Sequence, residues 1–83
     1  MTDDEAGLEA RLFVFVRERG YPVAGDGSTN ESGAAACLGY ASRSTLAKQH
    51  ACGKLRLRFR MAGRSRWYAI ADIARYLSDW RNG

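Results

Sequence analysis

Lys54, Arg56, Arg58, Arg60, Arg64 and Arg66 are the residues of this chain whose type and spacing best suit a chemical task. A guanidinium keeps its charge at any physiological pH and presents a planar fork of donors that matches phosphate oxygens. A cluster of them recognises phosphate and does not transform a substrate. The groups that catalysis needs are sparse. His50 is the single histidine, with no carboxylate pair or nucleophile motif beside it, so neither enzyme activity nor a cofactor is expected. Cys37, His50 and Cys52 are three candidate metal ligands with no CxxC pair and no fourth partner, so no metal site is expected. The two cysteines do not make a disulfide framework, and their small apolar neighbours suggest buried free thiols. Asp26-Gly27-Ser28 is too short and too poor in glycine to cradle a phosphate, and no GxxxxGK[ST] occurs.

The cationic cluster lies on an alternating stretch. Leu55, Leu57, Phe59 and Met61 interleave with Arg56, Arg58 and Arg60. Successive side chains of a strand point to opposite faces, so the pattern predicts one apolar and one arginine face. Ala62-Gly63-Arg64-Ser65 reads as a turn, and Arg66-Trp67-Tyr68-Ala69-Ile70 as the returning strand. The expected product is a hairpin with a core side and a cationic outer side. Tyr68 is expected in the core. For Trp67, packing and ligand stacking both stay open.

The preceding segment reads as two helices. One starts near Asn30 or Ser32 and runs to Leu38, where Gly39 ends it. Ser42-Arg43-Ser44-Thr45 caps the next, which continues to about Ala51 before Gly53. Leu46 is its core residue, and Arg43, Ser44, Ala47 and Lys48 are expected to face outward. Upstream, Thr2-Asp3-Asp4-Glu5 matches a capping box for a helix to Arg19 with the stripe Leu8, Leu12, Phe15 and Val16. Phe13 falls off that stripe and is a candidate subunit contact. Tyr21-Pro22-Val23 is expected as a short edge strand, and residues 24–32 as a mobile loop. Asp72 is expected to cap a last helix that buries Ile73, Leu77 and Trp80.

At 83 residues the chain has room for one domain, 1–83, with 46% hydrophobic residues. No apolar run approaches the ~20 residues that span a bilayer, and the acidic start MTDDEAG lacks a signal peptide's basic region. A cytoplasmic protein without membrane contact is the expectation. Charge is unevenly spread: residues 1–41 hold three basic and seven acidic groups, and residues 42–83 ten and two, or −4 against +8. A half-domain at +8 suits a surface that neutralises phosphates. Helix, short strand, two helices joined by a turn, hairpin and helix is an α+β order, that of a winged helix-turn-helix domain.

Two stretches, AACLGYASRSTLAKQHACGKL and RMAGRSRWYAIADIARYL, resemble the excisionase and MerR-type winged-helix proteins. The matching pieces are Leu38-Gly39, Ser42-Arg43-Ser44-Thr45-Leu46, Gly53-Lys54-Leu55, Gly63-Arg64-Ser65-Arg66, Asp72 and Tyr76-Leu77, within residues 34–80. The turn Gly39-Tyr40-Ala41-Ser42 is one residue longer than usual, and Gln49 and His50 stand where a bulky apolar residue often anchors the recognition helix. The resemblance implies a DNA-binding module, and the expected role of such a module is a small transcription regulator or an excisionase-like recombination directionality factor of a mobile element.

The expected partner is therefore double-stranded DNA, held by Ser42, Arg43, Ser44 and Lys48 on the recognition helix and by Lys54, Arg56, Arg58, Arg60, Arg64 and Arg66 on the wing. A homodimer or cooperative multimer, and a recombinase or the transcription machinery, are further candidate partners. The alternative is a protein-interaction module or inhibitor on the same fold, since fold does not dictate function. A third reading is RNA or single-stranded DNA stacked on Trp67.

Overall fold

The computed structural model describes residues 3–40, 42–53 and 57–82, and the side chains of 6–40, 42–53 and 57–79. The capping side chains of Thr2 and Glu5, the site residues Lys54 and Arg56, and the side chain of Trp80 lie outside them. Four helices and a three-stranded antiparallel sheet make an α+β fold among the described residues: α1 (Asp3–Glu18), β1 (Ser28–Asn30), α2 (Glu31–Leu38), α3 (Arg43–Ala51), β2 (Phe59–Ala62), β3 (Ser65–Ala69) and α4 (Ile70–Asn82). The sheet order is β1-β3-β2.

The apolar spacing of α1 buries Leu12 and Val16, and the helix packs chiefly on α4. Gly20, at φ +80°, ends it and lets Tyr21 N–H reach the Val16 carbonyl at 3.0 Å. Phe13, expected at a subunit contact, instead packs against the core. Phe15, expected on the buried stripe, stands half-exposed with the Arg19 guanidinium 5.0 Å from its ring centre. The helix thus turns Phe13 inward, and Arg19 shields the other ring.

The short strand lies further along than expected. Val23 makes only an isolated bridge to Thr29, and β1 falls within the stretch expected as a loop. Its small polar residues satisfy one another. Asp26 accepts from Ser28 N–H at 3.2 Å, Thr29 Oγ1 donates to the Pro22 carbonyl at 2.9 Å, and Asn30 Oδ1 caps α2 by accepting from Gly33 N–H at 2.9 Å. Ser28 and Thr29 are buried. Linker-like composition here encodes a turn, a strand and a helix cap.

Helix α2 closes with Gly39 at φ +80° while Tyr40 N–H reaches Ala35 O at 2.9 Å, which satisfies end carbonyls. β3 runs straight into α4. Ile70, expected as the end of a strand, begins the helix, its N–H donating to Gly27 O at 2.9 Å. Asp72 therefore lies in the first turn of α4 and is not its cap. Leu12, Ala34, Ala35, Leu46, Leu57, Tyr68, Ile70, Ile73 and Ala74 form the core between helices and sheet. Among the described residues no helix is long and apolar enough to cross a membrane.

Candidate nucleic-acid interface

Helix α3 starts at the extended N-cap residue Ser42, whose side chain makes no cap bond. Leu46 is fully buried, which fixes the helix against α2 and sets its outward stripe. Ser44 and Lys48, one turn apart opposite Leu46, are exposed, as are Ser42 and Arg43. Ala47, expected outward, is half-buried. The helix contains no acid. Arg43 leans toward its N-terminal end, where it lines an open cleft with Tyr21, Ser32, Tyr40 and Ser42.

His50 joins this helix to the hairpin. Its Nε2–H donates to the Leu57 carbonyl at 3.1 Å, and its ring meets Phe59 edge-on at 5.1 Å between centroids. Tyr68 completes the ring cluster, 6.0 Å from His50 and 5.9 Å from Phe59. The His50 ring thus packs with two aromatics while its polar edge satisfies a carbonyl just ahead of β2. Leu57 is buried although it precedes the strand.

The hairpin register sorts the cationic residues onto two faces. Phe59 opposes Tyr68, Arg60 opposes Trp67 and Met61 opposes Arg66. Directly opposed side chains share a face, so Arg66 lies with Phe59, Met61 and Tyr68, and Arg60 lies with Trp67 on the other side. The expected single arginine face is therefore split. Arg66 stands over the Phe59 ring at 5.0 Å, next to His50 and hence on the α3 side. Arg64 is exposed in the turn at the hairpin tip. Phe59 and Met61, expected in the core, are 42% and 55% exposed, because the hairpin projects past the core.

On the outer face Arg60 Nε donates to Asp26 Oδ2 at 2.7 Å, and its Nη2 reaches Ser28 Oγ at 3.3 Å. The guanidinium sits 5.7 Å above the half-buried Trp67 ring, so Trp67 is a floor for Arg60 and no part of the core cluster. Arg60 and Ser28 hold the Asp26 carboxyl at a pKa of about 2. Arg58 approaches Asp72 at 3.5 Å. Asp26, Arg58, Arg60, Trp67 and Asp72 line one shallow cleft. Neither acid is legible in the sequence as a partner: Asp26 lies 34 residues from Arg60, beyond any local pattern, and the Arg58–Asp72 pair depends on where α4 begins.

The other chemistry-bearing residues do not converge. Among the described residues no three of His, Cys, Asp and Glu form a metal-sized group. Cys37 is half-buried, and Cys52, expected to be buried, is exposed just past α3; both are free. Burial pushes the Cys37 thiol up to about 11. The Tyr68 hydroxyl is buried without a hydrogen-bond partner. Its phenol is shifted up by burial, against the opposing influence of Arg66. Comparisons of the chain with protein-family models, with curated proteins and with solved structures gave no match.

Proposed function

We propose that the chain is a winged helix-turn-helix protein that binds double-stranded DNA without catalysing a reaction. In this reading α3 enters the major groove and the hairpin acts as the wing. The observation that carries it is the acid-free helix α3, which exposes Ser42, Arg43, Ser44 and Lys48 and is fastened through His50 to a hairpin bearing Arg64 and Arg66. None of these four cations forms an ion pair among the described residues, so each is available to a phosphate or a base edge. The roles that fit are a small cytoplasmic transcription regulator and an excisionase-like directionality factor. Both act by occupying or bending DNA, or by recruiting a recombinase or the transcription machinery, and a homodimer would read two half-sites.

The test is a fluorescence-anisotropy titration with a random duplex at two salt concentrations, then selection from a randomised duplex library. Duplex binding that falls steeply with salt, with an enriched motif, is the expected result. Lys48→Ala should weaken binding across sequences and lower the salt slope by about one, whereas Arg43→Ala should alter the enriched motif. A wild-type chain that ignores duplex at low salt defeats the reading.

A second reading, a protein-interaction module, draws on the exposed side chains of Phe59 and Met61 beside Arg66. Such a mixed patch also suits a protein surface. Partner capture that survives high salt and is lost in Phe59→Ala would favour it.

A further inference from the structure

We propose that Asp26 and Asp72 compete internally with phosphate, holding Arg60 and Arg58 out of nucleic-acid contact until a phosphate takes the carboxylate's place. The inference rests on the duplex-binding reading above and concerns which cations that reading can use.

The outer face of the sheet differs from the α3 side in one respect. Both of its described arginines are already paired, Arg60 with Asp26 at 2.7 Å and Arg58 with Asp72 at 3.5 Å. A carboxylate offers a guanidinium the same two-oxygen edge that a phosphate does. Arg60 uses Nε and Nη2 on the two oxygens of Asp26, at 2.7 and 3.4 Å, so one two-donor edge of the guanidinium, the kind a phosphate takes bidentately, is occupied. Trp67 below and Ser28 beside it hold the guanidinium in this pose.

The exchange needs no rearrangement of the fold. The Arg60 and Asp26 side chains are 46% and 51% exposed, and Arg58 is 85% exposed. Exposed ion pairs are weak and screened by salt, so an arginine can swing to a phosphate while its acid stays in place. Asp26 is fixed by its bonds to Ser28, and Asp72 by the first turn of α4. The acids therefore limit affinity without blocking binding. They leave Arg43, Lys48, Arg64 and Arg66 to dominate contact, and they penalise duplexes whose phosphates do not reach the outer face.

The experiment is an anisotropy titration of the full chain with a random duplex over a range of salt. Asp26→Asn and Asp72→Asn retain the size and an acceptor oxygen but remove the charge. Each should tighten binding about two- to fivefold and steepen the salt slope by about one. Arg60→Ala should change little in the wild-type background yet abolish the gain in the Asp26→Asn background. Glu18→Gln, an exposed acid without an ion pair among the described residues, changes net charge equally and should leave the slope unaltered.

Asn variants that match wild type in affinity and slope overturn the proposal. So does an equal gain in Glu18→Gln, which would reduce the effect to net charge. Should Asp26→Asn melt below the assay temperature, Asp72→Asn decides alone. Failure of the underlying reading looks different: neither wild type nor the Asn variants bind duplex at low salt, and both ideas fall.

Discussion

Arg66 lies 5.0 Å above the Phe59 ring, on the face of the hairpin opposite Arg60. Two cations six residues apart on neighbouring strands therefore serve different surfaces, one beside α3 and one beside Asp26. Arg66→Ala should weaken duplex binding at least about threefold, with a salt slope lower by about one. Arg60→Ala should do less of both. Anisotropy titrations of the two variants decide it, and a larger loss in Arg60→Ala would mean that the outer face makes the stronger contact.

The approach of α2 to β1 depends on Gly33. A Cβ built there overlaps the Thr29 hydroxyl, and Gly33 is buried. Thr29 is itself fully buried and bonded to Pro22, so it has nowhere to move. Gly33→Ala should destabilise the fold by about 1–3 kcal/mol. Gly39→Ala, in open space but at φ +80°, should lose about 1 kcal/mol from backbone strain alone. Urea unfolding measures both, and a Gly33→Ala protein as stable as wild type would show that α2 can slide off β1 at no cost.

Tyr68 is fully buried in the core, and its hydroxyl makes no hydrogen bond of good geometry although the Arg66 guanidinium lies near it. Removing an unpaired buried polar atom relieves desolvation, so Tyr68→Phe should be neutral or stabilising by up to about 1 kcal/mol. Tyr68→Ala should cost about 3–5 kcal/mol through the cavity it leaves. If thermal unfolding instead places Tyr68→Phe well below wild type, the hydroxyl has a bond in solution, with the nearby Arg66 guanidinium as the natural partner.

Asp26 carries the acid-side pH dependence of the turn before β1. Its carboxyl is lowered from 3.8 to about 2, first by the Arg60 hydrogen bond and then by Ser28. A depressed folded-state pKa stabilises the fold fully above 3.8, and that contribution is lost as pH falls from about 4 toward 2. Melting temperatures should therefore drop more steeply across this window in wild type than in Asp26→Asn. Carboxyl NMR should return Asp26 toward its ordinary value in Arg60→Ala. A wild-type Asp26 titrating near 3.8 would show the ion pair to be absent in solution.

How far the chain could be read depended on how local each cause was. The helix ends at Leu38 and Ala51, the buried Leu46 and the hairpin turn at Gly63 follow from caps, spacing and glycine, all within a few residues. The strand at 28–30 was hidden because its backbone partners lie on β3, about forty residues on, while its polar side chains looked like linker. The arginine alternation placed Arg58 and Arg60 on one side correctly. Arg66 went astray because the face of the returning strand is set by the cross-strand register, which sequence alternation in the first strand does not specify.

Cys52 and Cys37 offer a chemical probe of the same surface. Cys52 is exposed directly after α3, with its N–H on the Lys48 carbonyl at 3.0 Å, whereas burial holds Cys37 protonated up to about 11. Only the thiolate reacts. An excess of a maleimide near neutral pH should therefore label Cys52 first, and Cys37 should follow only at high pH or on unfolding. Because Cys52 stands at the end of the helix proposed to enter the groove, a bulky adduct there should weaken duplex binding, and bound duplex should slow the labelling. Peptide mass mapping with a parallel anisotropy titration measures both. Equal labelling of the two thiols would contradict the burial of Cys37. Labelling of Cys52 that leaves duplex affinity untouched would move the contact toward the N-terminal half of α3, around Arg43 and Ser44.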